Sequence, residues 1–284
     1  MDKLSLKVLN VPANAGQRPS KRLSQATPAW VCTCIGRQGE YNVSNLQRRL
    51  QIAAILSLAT ILSSCSTFPT QELNKEANQS LHVIAVAPVG MPDKPMVTIV
   101  NAAGNSFGLI GAAVEATRAS NASNEAVTEF ANGGLTYKTH FPSVVEQQLK
   151  AAGFEVQMLP GTRTGSDAGA FLKTLPVAPA ADAILDIYVT YFGYVAASPQ
   201  LPYRPAIHLQ ARLLDIKTQK VLFADQVYYN NFTPAGAKKA ITLEPDPQAV
   251  FDDRAAMRAA PMDVVKWMRV AQTAVATELA KQLK

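Results

Sequence analysis

Residues 183–195, AILDIYVTYFGYV, set the fold class because they have the pattern of one long β-strand. Alternate residues of a strand point to opposite faces of the sheet, and apolar side chains occupy both sets of positions here. The two expected faces are Ile184, Asp186, Tyr188, Thr190 and Phe192 on one side, and Leu185, Ile187, Val189 and Tyr191 on the other. A sheet packed on both sides of this strand is therefore predicted.

Four further strands are predicted at residues 82–88, 154–158, 206–215 and 221–230, the last two forming a hairpin. Residues 137–153 and 262–284 repeat apolar side chains every three to four positions, as amphipathic helices do. The order strand, helix, four strands, helix predicts an α+β fold. We expect a mixed sheet of about five strands with helices packed on it, an α/β sandwich, as a single domain over residues 81–284.

Residues 97–116 are unusual because they are apolar, rich in glycine and nearly uncharged. The part from Phe107 onward has a helical pattern, and residues 117–134 after it are polar. Gly104 and Gly108 stand four apart, a spacing that lets two helices approach closely. Two interpretations stay open: a buried helix of the domain, or a segment whose Phe107 and Leu109 contact a bilayer or a partner.

A targeting segment is predicted upstream, at residues 48–64. Arg48 and Arg49 precede the apolar run 52–62, and small residues follow, as in a secretory signal peptide. Eleven helical residues span about 16 Å, which is too short for a hydrocarbon core of about 30 Å. The run is therefore expected to be removed rather than to span a membrane.

The end of this segment, Leu62-Ser63-Ser64-Cys65, resembles the lipobox of bacterial lipoproteins. The resemblance implies cleavage between Ser64 and Cys65, a diacylglyceryl group on the Cys65 thiol, and an acyl chain such as palmitate on the new amine. Ser66 in the next position resembles the signal for the outer membrane. The implied location is the bacterial cell envelope, lipid-anchored in the outer membrane and facing the periplasm. Residues 65–80, which are polar, would be the lipidated tether.

Residues 1–47 are polar and proline-containing, and they are much longer than the region that normally precedes an apolar signal run. We expect translation to begin downstream of Met1, so that this extension is not part of the protein.

The charge of the chain divides at Cys65. Residues 1–64 carry eight basic and two acidic side chains, so they account for the whole formal charge of +6. The remainder is neutral, and nothing in it favours nucleic acid as a partner. Cys32 and Cys34 lie upstream, which leaves Cys65 as the sole cysteine of the mature chain. Its stability is thus expected to come from a packed core, without disulfides.

Few residues favour catalysis. His140 or His208 and Asp186 could be combined with a serine, but no G-x-S-x-G sequence is present to expose that serine. Metal-ligand spacings are also missing from the mature chain, so neither a metal nor another cofactor is expected. Tyr188, Tyr191 and Tyr194 form an aromatic cluster with two interpretations, an interaction surface or core packing.

Four stretches of the domain resemble envelope lipoproteins of the curli-secretion-channel-like and penicillin-binding-protein-activator-like groups: residues 82–88, 149–156, 183–188 and 214–222. The resemblance implies a binding or assembly protein of α/β sandwich form, with an unidentified envelope protein as its partner. A non-enzymatic role is the expectation. The alternatives are a lipid-tethered periplasmic hydrolase and an auxiliary lipoprotein of a transport system.

Overall fold

A computed structural model describes residues 68–76, 78–101, 108–232 and 240–284. The described chain forms a seven-stranded mixed sheet with four α-helices, so the predicted α+β class is confirmed. The strands are β1 Val83–Val86, β2 Met96–Ile99, β3 Glu155–Met158, β4 Ala183–Ala196, β5 Arg204–Asp215, β6 Val221–Tyr229 and β7 Ile241–Leu243. The helices are α1 Gly108–Asn132, α2 Tyr137–Ala151, α3 Arg254–Ala259 and α4 Pro261–Leu283.

Strand β4 is the centre of the sheet, whose order is β3-β1-β4-β5-β6-β7 with β2 paired to β4. On one edge, β4 pairs in parallel with β1 near its start and with β2 near its end. A bridge between Gly90 and Tyr188 lies between these two pairings, so residues 83–99 follow most of the length of β4. The antiparallel hairpin β5–β6 occupies the other edge, as the sequence predicted.

The expected faces of β4 are correct only as far as Val189. The register with β5 shifts between Val189 and Tyr191, and the extra residue, Thr190, is exposed. A bulge of this kind reverses the alternation of side chains beyond it. Phe192 therefore joins Leu185 in the main core, and Tyr191 lies on the opposite face, the reverse of simple alternation.

Gly193 lets β2 approach β4 after this bulge. A Cβ atom at Gly193 would lie 1.8 Å from the carbonyl oxygen of Met96, and the residue has φ +153°. Both the contact and the backbone angle exclude ordinary side chains at this position.

Helices α1, α2 and α4 cover one face of the sheet, which we call the inner face, and build the main core with β4 and β5. Part of the opposite, outer face is covered by the loop 160–182. Leu172, Leu175 and Ala178 of this loop pack with Ala85 and Ile184 in a separate apolar cluster. No described helix is both long and apolar enough to cross a membrane.

The structure differs from the sequence prediction in three elements. Strands β2 and β7 are additional to the five predicted. Helix α1 continues through residues 117–132, a polar run in which no element was predicted, because the helix contains seven alanines, the strongest helix former. Part of the predicted tether is also packed on the domain, as Gln71 forms a β-bridge with Ala224 and Leu73 contacts the main core.

The predicted extension, the signal peptide, Ser64, Cys65 and Phe107 lie outside the described residues. Leu109 lies in the first turn of α1, and its side chain is outside the described part.

Candidate binding cleft beside helix α1

Helix α1 has two unlike halves. In the second half, Ala126 and Phe130 are buried in the main core, and Ser123 accepts a hydrogen bond from the backbone N–H of Val97 at 3.2 Å. In the first half, residues 112–121 are exposed apart from Glu115 and Ala119, which are half-buried. Most of this half thus lacks tertiary packing, including Val114, which is 46% exposed.

A cleft of about 580 Å³ lies between this first half of α1, strand β2 and helix α3. Its volume is within the range of small-molecule sites, which are mostly apolar with a few polar groups. Seven lining residues are apolar, Val97, Ile99, Ala112, Ala116, Ala119, Ala122 and Pro199, and five are polar or charged, Thr98, Glu115, Arg118, Tyr203 and Arg254.

The charged groups of the cleft are paired within the protein. Arg254 donates to both carboxylate oxygens of Glu129, at 2.7 and 3.0 Å, and lies 3.3 Å from Glu125. Arg118 binds Glu115 at 2.8 Å. Because each of these cations already has a carboxylate, the cleft offers an apolar surface rather than a free charge to an incoming group.

The described lining residues of the cleft include no histidine, cysteine or serine. The hydroxyl of Thr98 shares a hydrogen bond of 2.9 Å with that of Tyr191. Burial raises the pKa of Tyr203 above its ordinary value.

The tyrosine cluster predicted as a possible interaction surface is mostly interior. Tyr194 is fully buried and donates to the carbonyl of Val264 at 2.7 Å. Tyr191 is 7% exposed and donates to the carbonyl of Tyr194 at 2.7 Å. Tyr191 and Tyr194 are therefore core residues. Burial raises the pKa of each hydroxyl. Tyr188 is half-buried on the outer face, where its hydroxyl donates to Gln210.

The residues considered for a catalytic triad have separate partners. His140 Nδ1 lies 2.6 Å from Gln272 Oε1, between α2 and α4. His208 is 3% exposed, and its ring is stacked between Tyr228 and Phe232 with centroids 4.1 and 4.4 Å away. Its Nε2 lies 3.1 Å from the carbonyl of Asn230, and burial lowers its pKa to about 4.

Asp186 is fully buried on the outer face and binds two arginines. It accepts from Arg163, from Arg212 Nε at 3.1 Å and from the backbone N–H of Leu172 at 3.0 Å, and Arg212 Nη2 lies 2.9 Å from the same carboxylate. Arg212 also donates to the carbonyl of Leu172 at 2.6 Å. Asp186 of the sheet therefore holds the loop 160–182 through its contacts with Arg163 and Leu172. Among the described residues, no group of three or more His, Cys, Asp or Glu side chains is placed to hold a metal ion.

The cleft residues on β2, α3 and the β4–β5 loop could not be identified from the sequence, because residues far apart in the chain come together only in the folded protein. The spacing of Ala112, Ala116 and Ala119 was a usable signal, because small residues three or four apart define one face of a helix.

These features define an α+β protein with an apolar cleft beside the exposed first half of α1. No protein-family model and no curated protein matches the sequence. Solved structures give partial matches. One is a Xanthomonas campestris protein of the DUF330 family, with 17% identity, 70% of this chain and 81% of that chain covered, and a TM-score of 0.34.

A dodecameric variant of PelC from Paraburkholderia phytofirmans shares 11% identity over 76% of this chain and 95% of its own, with a TM-score of 0.31. A lipoprotein from Neisseria meningitidis shares 17% identity over 51% of this chain and 78% of its own, with a TM-score of 0.22. With TM-scores below 0.5, these likenesses carry no argument about what this chain does.

Proposed function

We propose that this protein is a lipoprotein of the bacterial cell envelope, anchored through Cys65 in the outer membrane and facing the periplasm. Its role is to bind or assemble another envelope component without catalysing a reaction. The anchor is supported by the sequence: Arg48 and Arg49, a short apolar run, then Leu62-Ser63-Ser64-Cys65. Two acyl groups or more make such anchoring stable, whereas one chain gives only marginal binding.

The observation that carries the binding role is the exposed first half of α1. A helical segment gains most of its stability from packing one face against other elements, and residues 112–121 have little such packing. The apolar cleft beside this half provides the matching concave surface. A partner that covers both would bury the small side chains of α1 and make the helix end stable.

Replacing Cys65 by alanine tests the anchor. We expect the Cys65→Ala protein to lose all incorporation of labelled palmitate and to leave the membrane fraction, because no other cysteine follows residue 64. Radiolabelling, mass analysis and fractionation of intact cells measure this. Incorporation that persists in the variant, or a parent protein without lipid, would contradict the anchoring.

Photo-crosslinking in intact cells tests the binding surface. A crosslinking residue at Val114 is expected to capture one envelope protein repeatedly, whereas the same residue at Val270 of α4 is not. The two positions are matched because their side chains are 46% and 40% exposed. Equal capture from both positions, or none from Val114, would contradict α1 as the binding element. A crosslinking residue at Tyr194, a member of the predicted aromatic cluster, could not reach a partner because this position is fully buried.

A second candidate function is that of an auxiliary lipoprotein of a transport system, and the apolar cleft is the observation that favours it. In the same crosslinking experiment, capture of a transporter subunit from Val114 would select this function over a general assembly role.

A further inference from the structure

Residues 68–73, which we call the strap, are docked on the domain. The backbone N–H of Gln71 donates to the carbonyl of Ala224 at 2.7 Å, and the N–H of Ala224 donates to the carbonyl of Gln71 at 2.9 Å. The Gln71 side chain adds a hydrogen bond to the carbonyl of Val221 at 2.7 Å. The strap therefore extends the sheet at the edge of β6.

The start of the strap lies on the outer face. The ring of Phe68 is 5.9 Å from that of Phe171, which in turn lies against Tyr188 at 4.8 Å and beneath the guanidinium of Arg212 at 4.5 Å. Arg212 is held by the buried carboxylate of Asp186. Phe68 thus contacts the part of the outer face where Asp186 binds Arg163 and Arg212.

This docking sets how far the domain can lie from Cys65. Three Cα–Cα steps separate Cys65 from Phe68, which span at most about 11 Å. A domain of this size is about 40 Å across, from a radius of gyration of about 17 Å. If the strap were released as far as Leu81, the sixteen residues would span about 55 Å, enough for any face to reach the membrane.

We propose that the outer face of the sheet, carrying Phe68, Phe171 and the loop 160–182, lies against the phospholipid surface that holds the Cys65 lipid, and that the helices face away. The proposal rests on the proposed lipidation of Cys65. A phospholipid surface is inferred at this face because the chain between Cys65 and Phe68 is too short to place any other face of the domain at the membrane. Val177, which is 87% exposed on the loop 160–182, supplies an apolar side chain to that surface.

Fluorescence quenching tests the orientation. The lipidated protein is purified with Val177→Cys or Val270→Cys, labelled with an environment-sensitive fluorophore and placed in vesicles of phosphatidylethanolamine and phosphatidylglycerol that contain a headgroup nitroxide lipid. Val177 lies on the outer face and Val270 on α4. We expect quenching at Val177 to exceed that at Val270 several-fold. Equal quenching, or stronger quenching at Val270, would overturn the proposal.

Releasing the strap provides the matched control. Gln71→Pro removes the N–H that donates to Ala224, and Phe68→Ser removes the ring contact; either variant is expected to reduce the difference between the two labels while Cys65 keeps its lipid. An undiminished difference in both variants would show that the strap does not set the orientation and would overturn the proposal. Mass analysis separates the two hypotheses: a protein without lipid contradicts the proposed function, whereas a lipidated protein with equal quenching contradicts only the orientation.

Discussion

Replacing Asp186 by alanine is expected to lower the free energy of unfolding by about 3–5 kcal/mol, because removal of one partner leaves buried charges uncompensated. The Arg163 side chain is 2% exposed and that of Arg212 is 21% exposed, so neither can be fully rehydrated in the folded state. The backbone N–H of Leu172 also loses its acceptor. Urea unfolding of parent and variant under the same conditions measures the difference.

A matched control distinguishes a buried from an exposed ion pair. Asp93 lies 3.5 Å from Lys138, with both side chains largely exposed, and Asp93→Ala is expected to change stability little. The triple variant Arg163→Met, Asp186→Leu and Arg212→Met should recover part of the lost stability, since apolar residues of similar size often replace buried ion pairs without cost and no charge of the cluster is then left unpaired. A small effect of Asp186→Ala would show that the loop 160–182 does not depend on this cluster.

The strands and helices with strong local patterns could be predicted from the sequence. Strands β4, β5 and β6 are long and apolar, and α2 and α4 show a regular apolar stripe, so their own residues define them. Strands β2 and β7 have four and three residues, and each exists because a longer strand pairs with it. Length alone is not the reason, because β1 and β3, with four residues each, were predicted from their apolar or alternating residues.

The faces of β4 show a second limit. Alternation predicts each side chain from its neighbours, but one extra residue at Thr190 reverses every position after it. The bulge depends on the register between β4 and β5, which the sequence of β4 alone does not contain. Simple alternation would place Tyr194 on the face of Ile184 and Tyr188, whereas the bulge places it in the main core with Leu185.

The ion pairs of Asp186 had a signal in the sequence, although Asp186 was considered there as a member of a catalytic triad. Asp186 is the only charged residue of the apolar strand β4, and a buried carboxylate requires a cation or several hydrogen-bond donors. That rule predicts an arginine partner, yet it does not say which one. Arg163 and Arg212 lie 23 and 26 residues away, and only the fold brings them together.

Acidification from pH 6.5 to pH 4 is expected to cost about 3 kcal/mol of stability through His208. Burial lowers its folded-state pKa from 6.5 to about 4, so between these values the unfolded chain binds a proton that the folded protein does not. Stability contributed by neutral His208 is therefore present above pH 6.5 and is lost as pH falls to about 4. At about 1.4 kcal/mol per pKa unit, the difference amounts to about 3 kcal/mol.

The variant His208→Phe isolates this contribution, because phenylalanine keeps an aromatic ring between Tyr228 and Phe232 and does not titrate. The neighbouring hydroxyls of Tyr191 and Tyr228 have raised pKa values and stay neutral throughout this range. Burial also raises the pKa of Asp225, which acts in the opposite direction, but it does so in both proteins and cancels in the comparison. Urea unfolding at pH 7.5 and pH 4 should show the parent losing about 3 kcal/mol more than His208→Phe. Equal losses in the parent and His208→Phe would show that His208 binds a proton as readily in the folded protein as in the unfolded chain.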